Sequence, residues 1–460
     1  MASLKKLPVS KQASLPQQLH AFLKEVFLAK KLINPRLVLG LSGGLDSIVL
    51  LHLLVETNKS LPFQLRVHHV HHGLSSNADA WADFCADTCQ KLKVSFVLSK
   101  IKVNKNSGLG VEATAREARY KALLADEADL ICPDFILLAH HQDDQVETLL
   151  LQLARGAGVK GLASMGEVNE KLLRPLLNVP RSTLEGYAKE HSLAWIEDES
   201  NLDTKFDRNF MRHEVLPVLS KQYPSIRQTI GRAAQHMAEA DILLDELAEQ
   251  DIKNGLINNQ QLQLASLEEL SIARIKNALR WWLLQNGCDV PSAAQLQQIT
   301  QQLLLAKADA GIKIKVSASL ILRRFQGSAY LVENVHEGDA DYQRSTFGLP
   351  WQGEQVIILP DQSRLFFSQK LGEGIAMQHV EKAQLAIRYR QGGETLKPEE
   401  NRPSRSLKSL FQTSSIPPWQ RERLPLLSLN DELIALPNIA VAVKFRAKSD
   451  ELGLCVDWQS

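Results

Sequence analysis

Cysteine is scarce in this chain. There are five in 460 residues (Cys85, Cys89, Cys132, Cys288 and Cys455), and no two are spaced as CxxC. That excludes a disulfide scaffold and suits a reducing cytoplasm. Long apolar runs are missing too. None approaches the roughly 20 residues of a membrane helix. The first residues, MASLKKLPVSKQASLPQQL, lack the apolar core of a secretory signal, so neither membrane insertion nor export is expected. Charge of one sign is lacking as well: 53 basic residues face 52 acidic ones, for a net charge of +1. Without a global basic field, any nucleic-acid partner must be held by local patches. What remains is ordinary globular composition, 44% hydrophobic and 23% charged. At roughly 150 residues per domain, the length implies about three domains.

The first 220 or so residues alternate strand-like runs (37–41, 64–70, 94–101, 134–139) with helix-like ones (46–54, 77–91, 112–127, 141–155). Strand, crossover helix, strand predicts an α/β fold with a doubly wound parallel sheet. Such sheets bind ligands beyond the C-terminal ends of their strands. After Pro224, helical periodicity dominates in 226–251, 267–284 and 293–305, followed by alternating strands near 312–331. The expected organisation is a catalytic domain over 1–224, a mostly helical middle domain over 225–335, a connecting strand-rich segment over 336–384, and a small mixed α/β domain over 385–460.

Ser42-Gly43-Gly44-Leu45-Asp46-Ser47 sits between an apolar strand and a helix. Glycines let backbone N–H groups crowd toward an anion, and the helix N-terminus adds free donors and partial positive charge. Asp46 is the informative residue, because a carboxylate beside phosphate is repulsive unless Mg²⁺ bridges them. The loop lacks the lysine and glycine order of a Walker P-loop. A bland alternative is a capped strand–helix turn.

His140-His141-Gln142-Asp143-Asp144-Gln145-Val146-Glu147 follows the strand at 134–139. Counting in helical steps, His140, Asp143, Asp144 and Glu147 share one face, with Val146, Leu149, Leu150 and Leu153 on another. Two carboxylates and an imidazole at the strand end suit Mg²⁺, a cationic amine or base catalysis. A solvated acidic first turn that favours the helix dipole is the plain alternative. His68, His69, His71 and His72 crowd the end of the second strand, but neighbours in a strand point to opposite faces and so do not converge on a zinc ion. Trp281 and Trp282 lie in a helical run and read as core anchors.

SGGLDS resembles the PP-loop of the N-type ATP pyrophosphatases. Longer strings are similar to one family among them. VHHVHHGL (67–74), GVEATAREARY (110–120), LLAHHQDDQVETLLLQLARGAGVKGLASM (137–165), the block at 174–219 with its E-D-x-S-N and R-N-x-x-R-H elements, and RQGGETLKPEENRPSRSLKSLFQTSSIPPWQRERLPLL (390–427) align in order with the tRNA(Ile)-lysidine synthetases. The resemblance covers most of 35–225 and 385–450. It implies that ATP adenylates C2 of the wobble cytidine of a tRNA(Ile) with a CAU anticodon, releasing diphosphate. The ε-amine of free L-lysine then displaces AMP, and the codon read changes from AUG to AUA.

On that resemblance, Ser42, Gly43, Gly44, Leu45, Asp46 and Ser47 would bind ATP, with Mg²⁺ reached from Asp46 through phosphates. His140, Asp143, Asp144 and Glu147 would bind or deprotonate lysine, and either Arg116 or Arg119 would stabilise developing charge. Arg208 and Arg212 in the first domain, and Arg402, Arg405 and Lys408 in the last, are the tRNA-binding candidates. The plain alternative for Arg208 and Arg212 is pairing with Glu197, Asp198 or Asp207. The rival functions are a sulfur-inserting PP-loop tRNA enzyme, which needs a thiolate near the loop, and a non-enzymatic tRNA-binding scaffold. The sequence leaves the oligomeric state open, a homodimer included.

Overall fold

The computed structural model describes residues 13–73, 75, 77–101, 111–124, 132–305, 311–334 and 348–459. The chain divides into two compact units, Met1–Leu244 and Asp245–Ser460.

The first unit alternates as its pattern predicts. It runs α1 (Leu15–Ala29), β1 (Arg36–Gly40), α2 (Leu45–Asn58), β2 (Gln64–His71), α3 (Ala78–Leu92), β3 (Ser95–Lys100), α4 (Val111–Leu124), β4 (Phe135–Leu137) and α5 (Gln142–Ala154). There follow α6 (Val159–Leu162), β5 (Val168–Asn169), β6 (Leu172–Leu173), α7 (Arg181–Glu190), α8 (Asp207–Phe210) and α9 (Leu216–Gln222). A π-turn, Met211–Val215, lies between the last two helices, and α10 (Ile226–Ile252) crosses the unit boundary. The end of the helix expected at 112–127 lies outside the described residues. α1 was not expected, although Leu15, Leu19, Leu23 and Val26 recur at helical spacing and are all buried.

The sheet order is β3-β2-β1-β4-β6-β5. β1 pairs in parallel with β2 on one side and β4 on the other, β6 continues in parallel from β4, and β5 is an antiparallel edge. Because side chains alternate along a strand, Leu37 and Leu39 enter a core shared with α1, α2 and α7. Val38 and Ile136 enter the opposite core with Leu123 of α4. The sheet is thus covered on both faces, and the chain direction across it reverses between β1 and β4. That reversal is where a doubly wound sheet opens a ligand crevice.

In the second unit, helices Ile272–Gln285 and Ala293–Leu305 accompany a five-stranded antiparallel sheet. Trp282 is buried and donates from Nε1 to the Asn259 carbonyl at 2.8 Å, the anchoring role its setting suggested. Two three-residue strands in this sheet, Leu256–Asn258 and Gln261–Gln263, are too short to give a readable alternation. The larger correction concerns 336–384, expected to be a connector. Arg364–Leu371 pairs along its whole length with the last strand, Leu452–Gln459. Gly348–Pro350 pairs with Leu385–Arg388. Residues 348–384 are therefore woven into the C-terminal sheets, and their apolar residues share one core with Phe411, Leu426 and Trp458.

This makes a prediction about fragments. A chain beginning at residue 348 should melt cooperatively by circular dichroism. One beginning at 385 strands the edge of Leu452–Gln459 and half of a shared core, and should show no cooperative transition.

Candidate functional site

The loop after β1 turns sharply. Gly43 has φ +88°, and a Cβ there would lie 2.9 Å from Ile196 Cδ1 and 3.2 Å from Cys85 Sγ. Glycine is required both for the dihedral and for the close approach. Ile196 N–H donates to the Gly43 carbonyl at 2.9 Å, so the stretch after α7 holds the loop from behind. Ser47 Oγ donates to the Gly44 carbonyl at 2.9 Å and lies 3.1 Å from Ser42 Oγ. On the other side, His69 Nδ1 lies 2.8 Å from the Leu41 carbonyl. Gly44 caps α2 and Asp46 occupies its first turn.

At the end of β4, His141 is the N-cap of α5 and has an extended backbone. Its own N–H donates to Asp144 Oδ2 at 2.9 Å. The His141 Nε2 lies 3.5 Å from Asp46 Oδ2 and 3.5 Å from Asp144 Oδ2, joining the two strand ends. Burial alone would lower the His141 pKa, but the bond to Asp46 and the charges of Asp144 and Asp143 raise it above the ordinary imidazole value. Burial likewise opposes ionisation of Asp144, yet His141 and Arg208 hold its carboxyl below the usual range.

Glu147 is 0% exposed. Its Oε2 accepts from Arg208 Nε at 2.7 Å, and its Oε1 accepts from Arg212 Nε at 2.6 Å. Asp144 Oδ1 accepts from Arg208 at 2.9 Å and faces Arg212 at 3.5 Å. The two arginines come from α8 and the π-turn. They are therefore partners of the acidic helix, a pairing the expectation of Glu197, Asp198 or Asp207 did not include. Asp207 instead pairs with Arg155 at 3.2 Å. Asp143 points elsewhere, 2.9 Å from Arg227 of α10.

The predicted face is thus partly redrawn. Helical phase begins at Gln142, so His140 precedes the cap and is off the helix face, and His141 stands between the carboxylates. The stripe is not solvated: Asp144 and Glu147 are buried beneath arginines. Leu153, expected on the apolar face, is 58% exposed. Sequence reasoning also missed Arg227. Nothing local signals that pairing; for Arg208 and Arg212 the signal was complementary spacing, acids at 144 and 147 against bases at 208 and 212, each set on one face of its helical stretch.

The four β2-end histidines disperse as strand geometry requires. His68 meets Ser99 Oγ at 2.9 Å, His69 the Leu41 carbonyl, and His71 Asp79 at 3.3 Å, while His72 accepts from Arg119 Nε at 3.2 Å. Burial, then Arg119, pulls the His72 pKa down to about 4. Arg116 lies on α4, and its side chain is outside the described residues. In the second unit, Arg402 pairs with Glu399 at 3.0 Å, Arg405 donates to Ser409 Oγ at 3.0 Å and to Thr413, and Lys408 is exposed.

No three His, Cys, Asp or Glu side chains gather as a metal cage among the described residues. Asp46 Oδ1 is nevertheless buried and has no hydrogen-bond partner. A single carboxylate of this kind beside an anion-binding loop fits Mg²⁺, which takes its remaining oxygens from phosphates and water. Cys85 lies directly behind the loop, a neighbour the sequence gave no sign of. Burial pushes its thiol up to about 12 and that of Cys89 up to about 11.

Comparison with known proteins supplies an independent line. The PP-loop domain family matches residues 12–219, the TilS substrate binding domain 262–330, and the TilS substrate C-terminal domain 385–458. The tRNA(Ile)-lysidine synthase of Nitrosomonas europaea is 40% identical over 92% of this chain and 92% of its own. That of Coxiella burnetii is 37% identical over 94% and 95%. That of Actinobacillus pleuropneumoniae serotype 3 is 40% identical over 86% and 94%. No helix among the described residues is long and apolar enough to cross a membrane.

Two outcomes follow from the geometry. Glu147→Ala leaves two guanidinium groups without their buried counter-charge and should cost about 3–5 kcal/mol of stability by urea denaturation. With its thiol raised to about 12, Cys85 should resist iodoacetamide at pH 8 in the native protein, while exposed Cys132 reacts. Rapid labelling of native Cys85, read by peptide mass spectrometry, would restore the thiolate chemistry of the rival reading.

Proposed function

The chain belongs to the tRNA(Ile)-lysidine synthase family, and we propose that the crevice between β1 and β4 is where ATP, lysine and the wobble cytidine meet. The protein is an ATP-using ligase that forms lysidine on tRNA. The supporting observation is the meeting of Asp46, His141 and Asp144 at the ends of two adjacent parallel strands.

In the proposed course, O2 of the cytidine attacks the α-phosphorus of ATP, forming the O2–P bond and releasing diphosphate. The loop N–H groups and the α2 N-terminus bind the phosphates, with Ser42 and Ser47 adding hydroxyls. Asp46 would hold Mg²⁺, which supplies neutralisation of phosphate charge. His141, kept protonation-prone by three acids, stays beside Asp46 and fixes its orientation. The lysine ε-amine then attacks C2, the C2–O2 bond breaks, and AMP departs with that oxygen.

An ammonium must lose a proton before it attacks. Asp144 is the proposed docking carboxylate for it, with Asp143 and His140 nearby in sequence. Glu147, wholly enclosed, acts as a positioning residue that aims Arg208 and Arg212. Those arginines have side chains 26% and 22% exposed, and so present guanidinium donors to a substrate anion, tRNA phosphate included. Arg119 and Arg116 on α4 remain candidates for stabilising charge. Arg402, Arg405 and Lys408 are proposed to touch the tRNA backbone, and 225–335 and 385–460 to be the tRNA-binding parts. Five free cysteines suit a cytoplasmic setting.

One assay tests the scheme: diphosphate release and lysidine formation measured separately on tRNA(Ile) with ATP and lysine. Asp46→Asn should abolish both while tRNA still binds. Asp144→Asn should raise the KM for lysine by at least about 10-fold and leave the KM for ATP within about 2-fold, since a charge-assisted ionic contact contributes on the order of 1.4 kcal/mol or more. A wild-type rate of diphosphate release in Asp46→Asn would sink the phosphate assignment. An ATP defect alone in Asp144→Asn would move that carboxylate to the nucleotide.

A further inference from the structure

The antiparallel sheet of the second unit gathers positive charge on one face. Arg323 and Phe325 alternate onto the same side of strand Leu320–Phe325. The register sets Tyr330 directly opposite Arg323 on one flank and Lys313 opposite it on the other. Gln261 comes next, opposite Tyr330, and donates to its hydroxyl at 2.9 Å. A row of Lys313, Arg323, Tyr330 and Gln261 therefore runs across four strands. Two like charges directly opposite in such a row are destabilising by themselves.

Trp419, on the short helix Pro418–Arg421, packs against this row. Its ring centroid is 5.3 Å from that of Tyr330 and 6.1 Å from that of Phe325, both edge-on. The Arg323 guanidinium carbon lies 5.3 Å from the Trp419 ring, and that of Arg421 lies 6.0 Å from the Phe325 ring. Stacking on rings fixes a guanidinium plane while leaving its N–H edge free to donate.

Among the described residues, no acidic side chain pairs with the guanidinium of Arg323 or of Arg421. Arg323 Nε is buried and has no hydrogen-bond partner. Among the described residues, Arg421 donates through Nε alone, to the Ile416 carbonyl at 2.8 Å. Burial, and then the like charge of Arg390, lower the Arg421 pKa. Arg423, two residues on, is the contrast: it is bound to Asp361 at 2.8 Å and is consumed by the fold. Two arginines on one short segment thus have opposite fates.

We propose that Arg323 and Arg421, stacked on Trp419 and Phe325, form with the exposed Arg390 beside Arg421 a binding site for phosphodiester groups of the tRNA backbone. An anion supplied from outside is what completes a half-buried cluster of stacked guanidiniums, and planar forks match phosphate oxygens. The proposal rests on the tRNA substrate of the proposed function. It adds a contact point distinct from Arg402, Arg405 and Lys408.

The test is equilibrium binding of a tRNA(Ile) transcript to the full chain across a KCl series, with melting temperature measured on every variant. The double variant Arg323→Gln/Arg421→Gln should lower the log–log salt slope by about two, roughly one per lost phosphate contact. Its melting temperature should hold or rise, because like charges have been removed. Should that variant not fold, Arg390→Gln at its exposed position should lower the slope by about one. Wild-type tRNA binding with an unchanged slope in the variants would overturn the site alone and leave the stack as mere packing. Failure of the wild-type chain to bind tRNA would overturn the underlying reading along with it.

Discussion

The parallel pairing of β4 against β1, Leu37 with Phe135 through Leu39 with Leu137, is the constraint on which the site depends. It puts the C-terminal ends of two strands on one edge, although about a hundred residues of chain separate them. The helices that leave those ends, α2 and α5, both start at that edge. Their N-termini carry partial positive charge, and their first turns carry Asp46, Asp143 and Asp144. Only because the strands are neighbours does His141 reach Asp46, and only because His141 caps α5 does it also reach Asp144.

Around this edge the charges nearly cancel. Asp46, Asp143, Asp144 and Glu147 are matched by His141, Arg208, Arg212 and Arg227 in contacts of 2.6 to 3.5 Å. Desolvating that many ions is costly unless each finds a partner. The gain is a crevice carrying both signs, which suits substrates of both signs: a polyphosphate, a nucleic acid and a cationic amine. Glu147 anchors the lattice from the inside, and the arginines form its accessible surface.

Much of this was readable in the chain. β1 to β4 and α2 to α5 lie within a few residues of their expected bounds, because buried parallel strands and crossover helices have periods that the sequence displays. The phosphate loop was legible from glycine spacing and one misplaced carboxylate. The phase of α5 was not, because nothing local marks His141 rather than His140 as the cap. Arg227 and Cys85 were also out of reach, since both meet the site through tertiary packing alone. Residues 348–384 failed for a related reason: short strands take their partners from far along the chain, and only the paired register reveals to which sheet they belong.

The π-turn at Met211–Val215 carries a further consequence, for how this chain tolerates insertions and deletions. A wide turn holds one more residue than an α-turn would. Each residue of helix advances the side-chain direction by about 100°. Removing a single residue between Arg208 and Arg212 would therefore swing the second guanidinium away from Glu147 while leaving the helix itself intact. Substitution at the exposed Phe210 is buffered by solvent, but length is not. Among related chains, gaps should collect in the loops on either side and avoid these few positions.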